Sequence, residues 1–149
     1  MHNGKSKSGL EFYRLLHESE QFTSELGKVT LASGKLETEI KFLLIENQIK
    51  GDYEKATLGK LIEVASNHNL FDKNWIMSLK QISKQRNYLT HNLYALFSDL
   101  IEETILEKTN LLDLDVTLFI SRVRHLNKDL DGLANLIREK IINSRQKGL

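Results

Sequence analysis

The sequence predicts an all-α fold, an up-and-down bundle of four to five helices. The 149 residues include no proline, the residue that most strongly interrupts helices. Leu, Ile, Glu and Lys, which favour helix, dominate the composition. Apolar residues recur at spacings of three and four along most of the chain, and no strand-like alternation or repeat of 20 to 50 residues is present.

The longest helix is predicted from Ser19 to Lys50. Gly27 and Gly34 lie inside it, and each costs about 1 kcal/mol relative to alanine in a helix. We expect them to be tolerated because another helix packs closely there; the alternative is a short loop near Gly34. The helix is predicted by one narrow apolar stripe of Phe22, Leu26, Val29, Leu36, Ile40 and Leu43.

Gly51 and Asp52 interrupt the pattern, and a shorter helix is predicted to follow. It ends around residues 67–69 and carries Leu58, Leu61, Ile62 and Ala65 on one side. Asp72 is a suitable N-cap for the next helix, because its carboxylate can accept hydrogen bonds from the free amides of the first turn.

Two further helices complete the predicted bundle. One runs through most of residues 72–107, with a possible break near Asn87. Residues 110–115 form a connector, and the last helix runs from Val116 to about Ser144. The predicted organisation is a disordered tail over residues 1–9, one helical domain over 10–144 and a basic tail over 145–149.

Composition and charge exclude several classes of function. The chain has no cysteine, so zinc fingers, iron-sulfur sites and thiol nucleophiles are excluded. With 21 basic and 20 acidic residues, the net charge of +1 argues against coating nucleic acid by bulk charge. No apolar segment is long enough to span a membrane, so a cytoplasmic protein with no membrane partner is expected.

Common cofactor and catalytic motifs are missing from the sequence. There is no GxGxxG, no P-loop, no GxSxG and no HExxH. The five histidines show no paired spacing typical of metal ligands. The sequence therefore predicts neither a metal nor a cofactor.

Arg86 departs from the apolar stripe of its predicted helix. It takes a position in line with Leu79, Ile82 and Leu89, where a charge must pair with a carboxylate, line a wet cleft or bind an anion. His91 follows five residues later, about 140° around an ideal helix. The two side chains would converge only if the helix breaks or a second copy of the chain contributes one of them.

The surroundings of Arg86 and His91 are basic. Lys73, Lys80, Lys84 and Arg86 precede the histidine against one acid, whereas residues 99–115 hold six acids and one lysine. Cations that hold a phosphate, beside an imidazole that moves protons near neutral pH, are what phosphodiester chemistry requires. This segment is the candidate functional site.

The hexad Arg86-Asn87-Tyr88-Leu89-Thr90-His91 resembles the R-x(4–6)-H signature of HEPN-domain proteins. The resemblance implies a metal-independent endoribonuclease that acts as a homodimer, with two Arg-His pairs facing each other across the interface. It also implies a role in toxin-antitoxin systems or antiviral defence, with a cognate antitoxin as a possible partner. In some toxins of the family the motif continues as H-x-Y, whereas Tyr94 here is displaced by one position, which puts that mode of control in doubt.

The resemblance also implies roles for individual residues. Arg86 would bind the scissile phosphate and stabilise charge developing at phosphorus. His91 would act as general base or acid in attack by the ribose 2′-hydroxyl, leaving a cyclic phosphate and a 5′-hydroxyl. Asn87 would orient the phosphate or His91.

Other residues are predicted to assist. Lys80 and Lys84 would bind RNA, while Tyr88 and Tyr94 would stack on unpaired bases or, in the alternative, form edges of the core. A carboxylate from the long helix often completes such sites. Glu37, Glu39 and Glu46 are candidates, and we favour Glu39 because it adjoins the stripe residue Ile40.

A non-catalytic helical module is the alternative function. In that case the bundle serves dimerisation or binding, and it scaffolds or inhibits a partner. Arg86 would then form an ion pair with a glutamate of the long helix, and His91 would be a structural histidine at a helix junction.

Overall fold

The fold is an all-α helical bundle, as the sequence predicts. The computed structural model describes residues 9–91, 94 and 115–147. Within these residues there are five helices and no strand. The helices are α1 (Gly9–Glu18), α2 (Glu20–Glu46), α3 (Leu58–Asn67), α4 (Lys73–Thr90) and α5 (Val116–Lys147).

Some predicted elements lie outside the described residues. These are residues 1–8 of the N-terminal tail, the continuation of the third predicted helix beyond Tyr94, and most of the connector before Asp115. Helix α1 begins at Gly9, the last residue of the predicted N-terminal tail. Helix α5 ends at Lys147, within the predicted C-terminal tail.

The described chain groups into two compact units. Unit 1 takes its residues from Met1–Thr30 and Lys84–Asn127, and unit 2 from Leu31–Ser83 and Lys128–Leu149. Helices α2, α4 and α5 each contribute residues to both units. Neither unit is therefore one continuous segment of the chain.

Unit 1 has an aromatic core. The ring of Phe119 packs edge-on against Phe12, with centroids 5.3 Å apart, and lies 5.9 Å from the ring of Phe22. Phe12 and Phe119 are fully buried. The aliphatic part of this core is Leu16, Val29, Leu89, Val116, Ile120, Val123 and Leu126.

Unit 2 has an aliphatic core, with α2 and α5 parallel in it. Lys35 pairs with Asp131 at 2.7 Å, Glu39 with Arg138 at 3.6 Å, and Glu46 with Arg145 at 2.7 Å. Residue numbers therefore rise together along both helices. The fully buried large side chains of this unit include Leu36, Ile40, Leu44, Leu58, Leu61, Ile62, Leu79 and Leu130.

Side chains cap the N-termini of four helices. Ser19 Oγ accepts from Phe22 N at 3.1 Å, and Thr57 Oγ1 accepts from Lys60 N at 3.2 Å. Asp72 Oδ1 accepts from Trp75 N at 2.9 Å, which confirms the predicted N-cap. Asp115 Oδ1 accepts from Thr117 N at 3.0 Å. Each cap satisfies an amide of the first turn that has no partner within its helix.

Helix α2 ends at Glu46, four residues before the predicted end. Gln48 has a φ of 58°, in the left-handed region. Its amide donates to Ile45 O at 3.0 Å, and Ile49 N donates to Leu44 O at 3.0 Å. This pair of hydrogen bonds is a Schellman C-cap, which is usually built on glycine. Helix α3 ends in the same way, with Asn69 at a φ of 55°.

The two helical glycines do not mark a close helix contact, so that expectation is wrong. Helix α2 continues through Gly27 and Gly34, and no short loop forms at Gly34. A Cβ built on either glycine meets no atom within 4 Å among the described residues. Both glycines are exposed, and they weaken the helix without a packing benefit.

Replacing these glycines with alanine should therefore stabilise the protein. Gly27→Ala and Gly34→Ala are each expected to raise the free energy of unfolding by about 0.5–1 kcal/mol, measured by urea denaturation. Gly51→Ala is the contrasting variant. Its Cβ would lie 2.7 Å from the Tyr53 ring, whose hydroxyl donates to Ile49 O at 3.2 Å, so stability should fall. Unchanged or lower stability in both helical variants would contradict the open surface at these positions.

The ion pair of Glu46 and Arg145 joins the ends of α2 and α5. Arg145 Nη2 and Nε donate to the same carboxylate oxygen at 2.7 and 2.9 Å. This hydrogen bonding holds the pKa of Glu46 below its ordinary value of 4.5 and raises the pKa of Arg145. Helix α5 runs to Lys147, so residues 145–147, where the sequence predicts a basic tail, are helical.

Because the folded-state pKa of Glu46 is lowered, its stabilising effect is present above pH 4.5 and is lost as the pH falls through the lowered value. Glu46→Gln is expected to lower the thermal midpoint at pH 7 and to have almost no effect near pH 2, where the carboxyl of the native protein is protonated. Midpoints measured by circular dichroism at both pH values test this. An equal decrease of the midpoint at both pH values would show that the charge of Glu46 does not stabilise the folded protein.

Candidate active site

The candidate site lies at the C-terminal end of α4. The helix ends at Thr90, and His91 is the next residue. The backbone amide of His91 still donates to Asn87 O at 2.9 Å, which fixes its position one turn beyond Asn87. The Thr90 hydroxyl donates to Arg86 O at 3.0 Å. His91 is exposed, so its imidazole is open to a solute.

Asn87 holds the guanidinium of Arg86. Nη1 of Arg86 donates to Asn87 Oδ1 at 2.9 Å, and both side chains are half-buried. A carboxamide oxygen accepts from the guanidinium without neutralising its charge. This hydrogen bond also restricts the conformational freedom of the Arg86 side chain. The sequence predicts that Asn87 orients the phosphate or His91, and the structure adds this contact with Arg86.

Arg86 and His91 lie on different sides of α4. Five residues along a regular helix rotate a side chain by about 140°, and the helix has no break between Arg86 and Thr90. The possible break near Asn87 is therefore absent. Arg86 follows the side of Leu79 and Ile82, which are buried, whereas His91 follows the solvent side. A site that uses both side chains on one phosphate thus needs a second copy to supply one of them.

Tyr88 belongs to the core. It is 8% exposed, so neither face of its ring is open to a base. The expectation that Tyr88 stacks on RNA is therefore not supported, and the alternative, a core residue, describes its position. Tyr88 is buried because it lies on the side of α4 that faces the core, next to the buried Leu89.

Tyr94 is 55% exposed and packs against α1 within unit 1. Its ring lies edge-on to Tyr13 at 5.0 Å, and Tyr13 is 6.3 Å from the ring of His17. Tyr94 therefore keeps an open surface while it is held in place. Tyr13 and His17 were not among the predicted site residues, although their four-residue spacing is the signal that places two side chains on one helical face.

The predicted RNA-binding lysines are exposed on α4. Lys80 lies in unit 2 and Lys84 in unit 1. Their spacing of four residues, followed by the seven residues to His91, places them on the solvent side of the helix with that histidine. Both are thus accessible, as the predicted role requires.

Two of the three candidate carboxylates of α2, Glu39 and Glu46, have partners on α5. Glu39 is 7% exposed and lies 3.6 Å from Arg138, and Glu46 is bound to Arg145. These pairs neutralise two carboxylates that the sequence offers for the site. That Glu39 supports Arg86 or His91 remains a prediction.

Among the described residues, no group of three or more histidine and carboxylate side chains is placed to hold a metal ion. None of the described helices is both long and apolar enough to cross a membrane. Comparisons with protein-family models, with curated proteins and with solved structures find no match.

Proposed function

We propose that the protein is a metal-independent endoribonuclease of HEPN type that works as a homodimer in toxin-antitoxin systems or antiviral defence. One observation carries the proposal. At the end of α4, an exposed imidazole lies one turn from an amide that holds a guanidinium, with Arg86 Nη1 and Asn87 Oδ1 2.9 Å apart. An oriented cation and an accessible proton carrier are the two groups that cleavage of a phosphodiester requires.

The chemistry follows from these groups. The 2′-oxygen of the ribose forms a bond to phosphorus as His91 takes its proton. The P–O5′ bond then breaks, the leaving 5′-oxygen takes a proton from water, and the imidazolium of His91 returns its proton to solvent. Arg86 stabilises the charge on the phosphoryl oxygens. The products are a 2′,3′-cyclic phosphate and a 5′-hydroxyl.

A dimer is part of the proposal because of the geometry within one chain. The separation of about 140° around α4 points Arg86 and His91 of one copy in different directions. In a dimer with a two-fold axis, Arg86 of each copy can face His91 of the other copy. The arginine of one copy and the histidine of the other then share one phosphate. The monomer alone should be inactive at concentrations below the dimer dissociation constant.

The test is cleavage of a mixed pool of single-stranded and structured RNA in EDTA. We expect the wild-type protein to cut RNA without added metal and to leave 2′,3′-cyclic phosphate ends. A pool of the same sequences in DNA should stay intact, because DNA lacks the attacking 2′-hydroxyl. Cutting of DNA, or cutting that needs Mg²⁺, would contradict the mechanism.

The control for contaminating nucleases is the double variant Arg86→Ala with His91→Ala, purified identically. It should show no cleavage while its circular dichroism spectrum and elution volume match those of the wild type. Equal cutting by both preparations, or none by either, would favour the non-catalytic binding module.

A further inference from the structure

Three ring side chains lie together on the surface of unit 1. The ring of Tyr13 is perpendicular to that of Tyr94, with an interplanar angle of 84° and centroids 5.0 Å apart. The ring of His17 lies 6.3 Å from that of Tyr13 and is tilted by 37° against it. All three residues belong to unit 1, and we call them the aromatic platform. Two distant parts of the chain thus build one aromatic surface.

The platform is open to solvent, although its rings contact one another. Tyr94 is 55% exposed, His17 is exposed and Tyr13 is half-buried. Tyr13 and His17 are four residues apart on α1, so they lie on the same side of that helix. By contrast, the core rings of Phe12 and Phe119 in this unit are fully buried. The platform is therefore a surface feature and not part of the aromatic core.

Two perpendicular rings form a corner that fits a flat aromatic ligand. A nucleobase that stacks on one tyrosine ring presents its edge to the face of the other ring, and both arrangements are favourable for aromatic pairs. Every unpaired base can stack in this way, because each base has a π-face. In a duplex these faces are already covered by neighbouring base pairs. The corner therefore suits unpaired bases better than a duplex.

The border of the platform is charged, which argues against a lipid surface as its ligand. The exposed ion pair of Arg14 and Glu18, with 3.3 Å between nitrogen and oxygen, lies beside the platform on α1. A helix that inserts into a lipid surface needs a full apolar face. The platform therefore suits an aromatic ligand with polar edges, such as a base.

The platform adjoins the candidate site along the chain. Tyr94 follows His91 by three residues, and three residues of extended chain span at most about 11 Å. Both residues are exposed, and both belong to unit 1. A nucleotide whose phosphate lies at His91 can therefore place its own base, or that of its neighbour, on the ring of Tyr94.

We propose that the aromatic platform binds an unpaired base of the RNA beside the phosphate at which His91 acts. The base stacks on one tyrosine ring and meets the other edge-on, and the imidazole of His17 extends the surface. Binding of a base depends on the platform alone, whereas its place beside the cleaved bond rests on the proposed function. The substrate is therefore a single strand or a loop, in which bases are unpaired.

The test compares two labelled oligonucleotides that carry the same phosphates, with binding measured by fluorescence anisotropy. One is a single strand of 2′-O-methyl RNA of about 12 nucleotides, and the other has the same backbone without bases. Neither can be cleaved through its 2′-oxygen, so binding is measured separately from cleavage. Tyr94→Ala should weaken binding of the strand with bases by about 5- to 100-fold, the usual contribution of stacking on one aromatic side chain. Its affinity for the strand without bases should equal that of the wild type.

Further variants distinguish stacking from other effects. Tyr94→Phe keeps the ring and should bind both strands as the wild type does, because stacking does not need the hydroxyl. His17→Ala should weaken binding of the strand with bases only. Phe42→Ala is the matched control, because Phe42 is an aromatic residue of unit 2 that is 41% exposed. It should leave both affinities unchanged.

Binding and cleavage outcomes separate this proposal from the proposed function. If Tyr94→Ala loses affinity for bases and Phe42→Ala keeps it, base binding by the platform is supported, even where the wild type cuts no RNA. If the wild type cuts RNA and Tyr94→Ala binds both strands as the wild type does, the nuclease stands and the platform fails.

Other outcomes would overturn the proposal as well. Equal losses in Tyr94→Ala and Phe42→Ala would mean that the effect is not specific to the platform. Equal losses for the two strands in Tyr94→Ala would mean that the ring does not contact a base. Tighter binding of the matching duplex would contradict stacking on unpaired bases. Absence of RNA binding by the wild type would favour a protein partner on this surface.

Discussion

His91→Ala is expected to lower the rate of RNA cleavage by about 10²- to 10⁴-fold, the usual contribution of a general acid-base residue. The change should leave the fold intact. The imidazole is exposed, and the backbone hydrogen bond from His91 N to Asn87 O is kept by alanine. Substitutions at exposed positions of this kind change the free energy of unfolding by about 0.5 kcal/mol or less.

The measurement is a single-turnover cleavage assay in EDTA beside a urea titration of the same preparation. His125→Ala is the matched control, because His125 is also an exposed histidine, on α5. It should cleave at the wild-type rate. If both histidine variants retain full activity, His91 is a structural residue and the proposed mechanism is wrong.

Phe119→Ala should have the largest effect on stability. Phe119 is fully buried in unit 1, where its ring contacts those of Phe12 and Phe22. Truncation removes the transfer energy of the ring and leaves a cavity, and such changes cost about 3–5 kcal/mol. Because domains of this size have about 5–15 kcal/mol of stability in total, a large part of it would be lost.

Urea denaturation measures this loss, and the neighbouring residue supplies the control. Leu118 is 51% exposed on the same turn of α5. Leu118→Ala should cost no more than about 1 kcal/mol, because about half of its surface stays in water in the folded protein. Similar losses for the two variants would mean that the aromatic cluster contributes little to the free energy of unfolding.

Local patterns predicted most of the helices. Spacings of three and four gave α3 and the bodies of α2, α4 and α5, and the short polar residues Ser19 and Asp72 marked two helix starts that the structure confirms. Helix α1 was not predicted as a separate element. Its ten residues offer only Phe12 and Leu16 as a buried pair, too short a pattern to recognise.

Helix ends and tertiary partners could not be read from local sequence. Gln48 takes a left-handed conformation that glycine normally marks, so nothing in the sequence signalled the end of α2 at Glu46. In the same way, the partner of Glu39 is Arg138 on a distant helix. Periodicity places a carboxylate on a face, but it does not say which helix covers that face.

At the candidate site, the sequence identified the residues and the structure supplied their arrangement. The exposed positions of His91, Lys80 and Lys84 agree with solvent-side spacing on α4. The hydrogen bond between Arg86 and Asn87 joins adjacent residues, and it depends on rotamers that spacing does not fix. The role of Tyr88 was ambiguous in the sequence because an aromatic residue suits both the edge of a core and a surface on which bases stack. Its burial places it in the core.

The parallel pairing of α2 with α5 also affects how the protein is made. Glu25 and Arg124, and likewise Glu46 and Arg145, are joined across 99 residues of chain. On the ribosome, α2 therefore emerges long before α5, and the contacts between the two helices form only once α5 has been synthesised. Contacts this distant also slow folding relative to helical bundles with mainly local contacts. A newly made chain thus acquires its complete core, and with it any activity that depends on the fold, only after α5 has been synthesised.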